Sequence, residues 1–153
     1  MVPSSPEVSR RMAKVANRNT AAEMAVRREL HRRGFRYRVA QPITGMGRTR
    51  PDIVFTRERI AIFIDGCFWH RCPEHATFPQ ANALWWAEKL ELNQARDQKT
   101  DFQLRELGWE VVRVWEHVPA DEAADLIQQV VMRRRANRIL SQSVGRLDDG
   151  DEE

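Results

Sequence analysis

Residues 50–66 read RPDIVFTRERIAIFIDG, and this stretch decides the fold. Two short apolar runs, 52–55 and 60–64, flank a polar TRER turn. Short runs rich in β-branched and aromatic residues, bounded by turn residues, predict strands. The short turn between them makes the pair a hairpin. The second run is apolar at every position, which marks a buried strand. Arg-Pro-Asp opens the first strand with Asp52, and Ile64-Asp65 ends the second. An aspartate before a strand also has an ordinary reading as turn chemistry.

The chain on either side fits one mixed sheet flanked by helices. Upstream, Ser5-Pro6-Glu7 is a helix start, with a serine cap and proline at the first helical position. A short basic helix follows to about Ala16. Thr20 and Glu23 form a second capping box, and that helix ends before Gly34. FRYRV at 35–39 alternates like a strand, and 41–51 is a loop. Downstream, 82–107 predicts a long helix closed by Gly108, and EVVRVWE at 110–116 another apolar strand. Residues 120–140 form an amphipathic helix with acids early and bases late, as the helix dipole favours. A polar, disordered tail is expected from 141 to 153. The expected division is a basic arm at 1–18, one catalytic-sized domain at 19–140 and the acidic tail. The predicted class is α/β, with helices on a central mixed sheet.

At 153 residues the chain can bury a core without staples. No uncharged apolar run is long enough to cross a membrane, and the N-terminus lacks the apolar stretch of a secretion signal. Two cysteines do not make a disulfide-rich secreted fold, so a cytoplasmic location is expected. The net charge of +3 conceals a strong asymmetry. Residues 1–50 hold twelve Lys or Arg against three Glu, whereas 147–153 hold five acids and no base. A one-sided basic excess faces phosphate more readily than it serves as a solvated helix face.

DGCFWHRCPEH at 65–75 gathers both cysteines and two of the four histidines. Cys67, Cys72 and His75 supply three metal ligands on one loop, and His117 after the last strand can supply the fourth. Two thiolates and two imidazoles suit a closed tetrahedral zinc site. A Cys67–Cys72 disulfide and two buried free thiols are the alternatives. The spacing is not that of a thiol redox motif. His31 reads as an ordinary surface or packing residue.

The segments TAAE, RPDIVF, FIDGCFWHRCPEH, WWAEKLELNQARD and LGWEVVRVWEH occur in one order and spacing. Together they resemble the very short patch repair (Vsr) DNA mismatch endonucleases over about residues 8–118. The resemblance implies a restriction-endonuclease-like core of the PD-(D/E)xK type with a structural zinc loop. It implies nicking of one duplex strand beside the thymine of a T·G mismatch, the product of 5-methylcytosine deamination.

Site residues follow from the same resemblance. Asp52 matches the essential metal-binding aspartate, and the main-chain carbonyl of Ile64 a second metal ligand, with two Mg²⁺ expected. His70 matches the candidate base, Asp97 the carboxylate that orients it, and Glu23 a glutamate acting near the metals. Phe68, Trp69 and Trp86 match residues that wedge into the base stack. Lys89 and Asn93 match residues at the mismatched pair. Met12 matches a wedge on the N-terminal arm, where Arg10, Arg11, Lys14 and Arg18 would hold phosphates. The chain departs from the pattern at Asp65, where the best-known members carry histidine and where aspartate can itself bind Mg²⁺. It also departs in the zinc loop, which has fewer histidines, with His117 in place of a final cysteine. The pattern's lysine is missing after Asp65.

The expected function is therefore a Mg²⁺-dependent mismatch endonuclease. It acts as a monomer on nucleoid DNA, with mismatch-repair proteins as further partners. A restriction-like nuclease on unmismatched DNA and a zinc-stabilised DNA-binding module are the alternatives, and a thiol oxidoreductase is a distant fourth.

Overall fold

The computed structural model describes residues 21–67 and 83–145. Helix α1 covers 21–32, and strand β1 is Arg38–Val39. Strands β2 (Ile53–Phe55) and β3 (Ile60–Asp65) follow. Then come helix α2 (Ala83–Glu106), strand β4 (Glu110–Trp115) and helix α3 (Ala120–Gly145). The sheet order is β1-β2-β3-β4. The first two pairings are antiparallel, and β3 pairs with β4 in parallel. The mixed α/β class expected from the sequence is the class observed.

Strand alternation sorts the core into two layers. Ile53, Phe55, Ile60, Ile62 and Ile64 join Val112 and Val114 in packing with residues of α1 and α3. Ala61 packs on the other face with Leu104 of α2 and with Ile43 and Met46 from the 40–52 loop, joined by Phe63 and Val111. That is why β3 is apolar throughout.

Boundaries moved for local reasons. β1 is shorter than the expected 35–39 because the Phe35 N–H closes the end of α1 on the Leu30 carbonyl, and Ala40 turns away at φ 48°. Strand β2 starts one residue late because Asp52 uses its side chain, not its backbone, to reach β3. The expected tail boundary at 141 falls inside α3. No proline interrupts 141–145, and the helix continues to Gly145, with the Ser141 and Ser143 hydroxyls donating back to the carbonyls of Asn137 and Ile139. Gly108, at φ 85°, ends α2 as expected, with the Trp109 N–H bonded to the Leu104 carbonyl.

Candidate active site

The hairpin brings Asp52 to the far end of β3. Its Oδ2 accepts a hydrogen bond from the Ile64 N–H at 2.7 Å. The β2–β3 ladder ends at Ile53↔Ile62, so this side chain replaces the next rung. In a strand, one residue's N–H and C=O face the same edge. The Ile64 carbonyl therefore faces the edge where Asp52 sits. Helix α1 adds Glu23, which is ion-paired with Arg27.

These acids act on one another. Burial pushes the Asp52 carboxyl up to about 6; the Ile64 N–H and Arg27 work against the rise, and the charges of Glu23 and Asp65 add to it. A carboxylate held this high lacks enough positive charge nearby. A buried carboxylate beside a main-chain carbonyl is a hard oxygen donor set, which suits Mg²⁺. The residues present fit that ion.

Asp65 has a different partner from Asp52. Both of its oxygens accept from Nη1 of Arg113 on β4, at 3.0 and 3.1 Å. Asp101 of α2 takes the other side of the guanidinium, at 2.9 Å from Nε and 2.6 Å from Nη2. Asp97 lies 3.8 Å from Nη1. The guanidinium carbon stacks 4.3 Å above the Phe63 ring. Burial works against the Arg113 charge, but the Asp101 hydrogen bond and the charges of Asp65, Asp101 and Asp97 outweigh it and raise its pKa. The group borders a recess of about 270 Å³ lined also by Gln94, Gln98, Val114 and Trp115. The expectation of Asp65 as a direct metal ligand thus meets a carboxylate already turned onto arginine. Arg113 and Asp101 were missed from the sequence. The available signal was one arginine inside the otherwise apolar run VVRVW.

Two of the four expected zinc ligands meet. Cys67 Sγ lies 3.3 Å from Nδ1 of His117. Two such ligands on one tetrahedral zinc stand about 3.6 Å apart, given bonds of about 2.3 and 2.05 Å. Cys67 is buried, and its N–H donates to Oε1 of Glu116 at 3.1 Å. The donor types and the approach fit zinc. Cys72 and His75 lie outside the described residues, as does His70. Among the described residues no three His, Cys, Asp or Glu side chains form a metal-holding group.

On α2, Trp86, Asn93 and Asp97 share the buried side of the helix with Leu90 and Leu104. Trp86 is 1% exposed, so the expected wedge is a core residue in this structure. Trp85 is half-buried and meets Trp86 edge-on at 4.5 Å. Lys89 is exposed, with its ammonium 5.8 Å from the Trp85 ring centre. Helical geometry explains the difference, because neighbouring residues turn by about 100°. Position 86, four residues before Leu90, takes the inward side. Phe68, Trp69, Met12, Arg10, Arg11, Lys14 and Arg18 lie outside the described residues. His31 is exposed, as expected.

Known proteins share this pattern. The profile of DNA mismatch endonuclease Vsr matches residues 4–75, which include Glu23, Asp52, Ile64, Asp65 and Cys67. The Type II nicking enzyme V.NaeI of Lentzea aerocolonigenes is 42% identical over 80% of this chain and 74% of its own length. The DNA mismatch endonuclease Vsr of Escherichia coli is 38% identical over 71% of this chain and 68% of its own. The chain belongs to the Vsr family. It is an endonuclease, and DNA is its partner. The Type II nicking enzyme V.NmeAIP of Neisseria meningitidis is 34% identical and aligns over 84% of this Vsr-family chain and 86% of its own length. Family membership sets aside the non-catalytic and thiol-redox readings.

Proposed function

We propose that this Vsr-family endonuclease nicks one strand of duplex DNA on the 5′ side of the thymine in a T·G mismatch, in a Mg²⁺-dependent reaction. The likeness to the DNA mismatch endonuclease Vsr supports the mismatch reading, and the Asp52 carboxyl held on the Ile64 N–H beside the Ile64 carbonyl supports a metal-dependent site. Asp52 and the Ile64 carbonyl would hold the ion, with Glu23 close by. When bound, Mg²⁺ lowers the pKa of water and offsets charge building on the phosphate. Asp52 presents its oxygens from a fixed position, because the Ile64 N–H holds one of them. His70 is the proposed base, with an imidazole titrating near working pH. Asp97 would orient it from α2. Lys89 and Asn93 would meet the mismatched pair, and Phe68 and Trp69 would enter the stack. Zinc on Cys67, Cys72, His75 and His117 would hold the intervening loop. The enzyme would act as a monomer on nucleoid DNA and cooperate with mismatch-repair proteins. Among the described residues, no helix is long and apolar enough to cross a membrane.

A second reading has support of its own. Several relatives bear the name Type II nicking enzyme. That favours a nuclease acting on unmismatched duplex at the same site. One experiment separates the two: each strand of a duplex with a single T·G pair is labelled, and nicking is followed beside T·A and C·G controls, with Mg²⁺ and with EDTA. The mismatch reading expects one Mg²⁺-dependent cut on the thymine strand of the T·G duplex only. Equal cutting of all three duplexes would transfer the function to the second reading.

A further inference from the structure

The open end of the β2–β3 hairpin carries two aspartates near each other, Asp52 just before β2 and Asp65 at the end of β3, in different surroundings. Asp52 rests on the Ile64 N–H, and the main chain of Ile64 opens toward it. Asp65 is 7% exposed and has both oxygens on Arg113. The parallel register pairs Phe63 with Arg113 and Asp65 with Trp115. Arg113 thus sits one pair back from Asp65 on the same face of the sheet, beneath α2. Its planar fork is fully directed: Nε and Nη2 to Asp101, and Nη1 to Asp65 with Asp97 nearby. The Phe63 ring floors the guanidinium, which restricts its rotation. Such a bidentate arginine is a geometric part that lysine cannot copy.

We propose that Arg113 is a positioning residue for the nicking reaction: it holds Asp65 off the catalytic metal and sets the placement of Asp97, leaving Asp52 as the side-chain ligand. The inference rests on the reading of the Asp52 end as the active site. Asp65 supplies a fixed negative anchor for the guanidinium, and Asp101 locks the other side. One rigid cluster then ties the ends of β3 and β4 to the middle of α2, from which Asp97 projects. A buried aspartate is tolerable there only because the arginine accompanies it. Outer partners of this kind typically affect metal affinity or activity by about 10- to 100-fold.

The test uses the full chain and four variants: Arg113→Met, Arg113→Lys, Asp65→Asn and, as a control on the site itself, Asp52→Asn. Mn²⁺ titrated calorimetrically into zinc-loaded protein cleared of other divalent ions reads the ligand set without turnover. Single-turnover nicking of saturating T·G duplex, and duplex affinity in EDTA, read the reaction. Asp52→Asn should weaken Mn²⁺ by at least about tenfold. Asp65→Asn should leave Mn²⁺ affinity within about threefold of the parent. Arg113→Met should slow nicking at saturating duplex by about 10- to 100-fold with duplex affinity nearly unchanged, and Arg113→Lys by about tenfold. An Asp65→Asn loss as large as that of Asp52→Asn would make Asp65 a ligand and overturn the inference. So would parental nicking by Arg113→Lys, which keeps the charge and so keeps the test open if Arg113→Met does not fold. If Asp52→Asn nicks normally, the site itself is misplaced and the inference falls with it. Loss in Asp52→Asn with parental rates in both Arg113 variants would reject the positioning role alone.

Discussion

The Asp52 carboxyl titrates near 6 in the fold against 3.8 for a free aspartate. The folded protein therefore binds more protons than the unfolded chain between those values. Metal-free stability is unaffected below about pH 4, falls as pH rises through 6, and is then constant. At 1.36 kcal/mol per unit, the full loss is about 3 kcal/mol at neutral pH. Urea denaturation of Asp52→Asn in EDTA should show a gain of about 1–3 kcal/mol at pH 7.5 and almost none at pH 4. Asparagine can still accept from Ile64. The same variant should lose nicking by on the order of a thousandfold. Equal stability of the two proteins at pH 7.5 would count against the crowding of charges at this site. At Cys67 the expectation concerns metal content. Elemental analysis should find one zinc per parental chain, and Cys67→Ser should release it and lower the melting temperature.

Among the elements, α3 is coupled to the sheet by arginine. Arg134 donates to the carbonyls of Glu58, Arg59 and Gly108 at 3.0, 3.1 and 2.8 Å. It thereby joins the hairpin turn, the close of α2 and α3. Charged hydrogen bonds of this type are worth about 1.5–3 kcal/mol each, with partial exposure reducing the sum. Arg134→Met keeps the apolar stem and should destabilise by about 2–4 kcal/mol in urea. Nicking at 25 °C should be unchanged, because these carbonyls flank the start of β3 and Asp65 ends it. Gly108→Ala should cost about 1–2 kcal/mol, since φ is 85° there. The elements themselves were legible in sequence. Their ends were less so: the Asp52 side chain took a backbone rung at β2, and α3 runs through a polar stretch past 140 that no proline interrupts.

For the whole molecule, the basic excess of 1–50 sets the DNA term. Binding of a T·G duplex in EDTA should weaken steeply with salt, with a slope of about −0.9 for each phosphate neutralised. A slope near zero would remove the electrostatic part of the reading. Hydrophobic period, turn chemistry and charge asymmetry are local properties. They determined the hairpin, the helices and the mixed α/β class; the motif resemblance implied the family and the roles of Asp52 and Glu23, and the gathering of cysteine and histidine singled out Cys67 and His117. What faces what was decided by tertiary structure. Asp65 and Arg113 lie 48 residues apart, and Cys67 and His117 lie 50 apart. Trp86 and Trp85 are neighbours, and only the packing of α2 on the sheet puts one inside. Identical aspartates at two ends of one hairpin acquire different roles because one meets a backbone N–H inside the hairpin and the other a guanidinium, a contact that exists only once β4 has paired with β3.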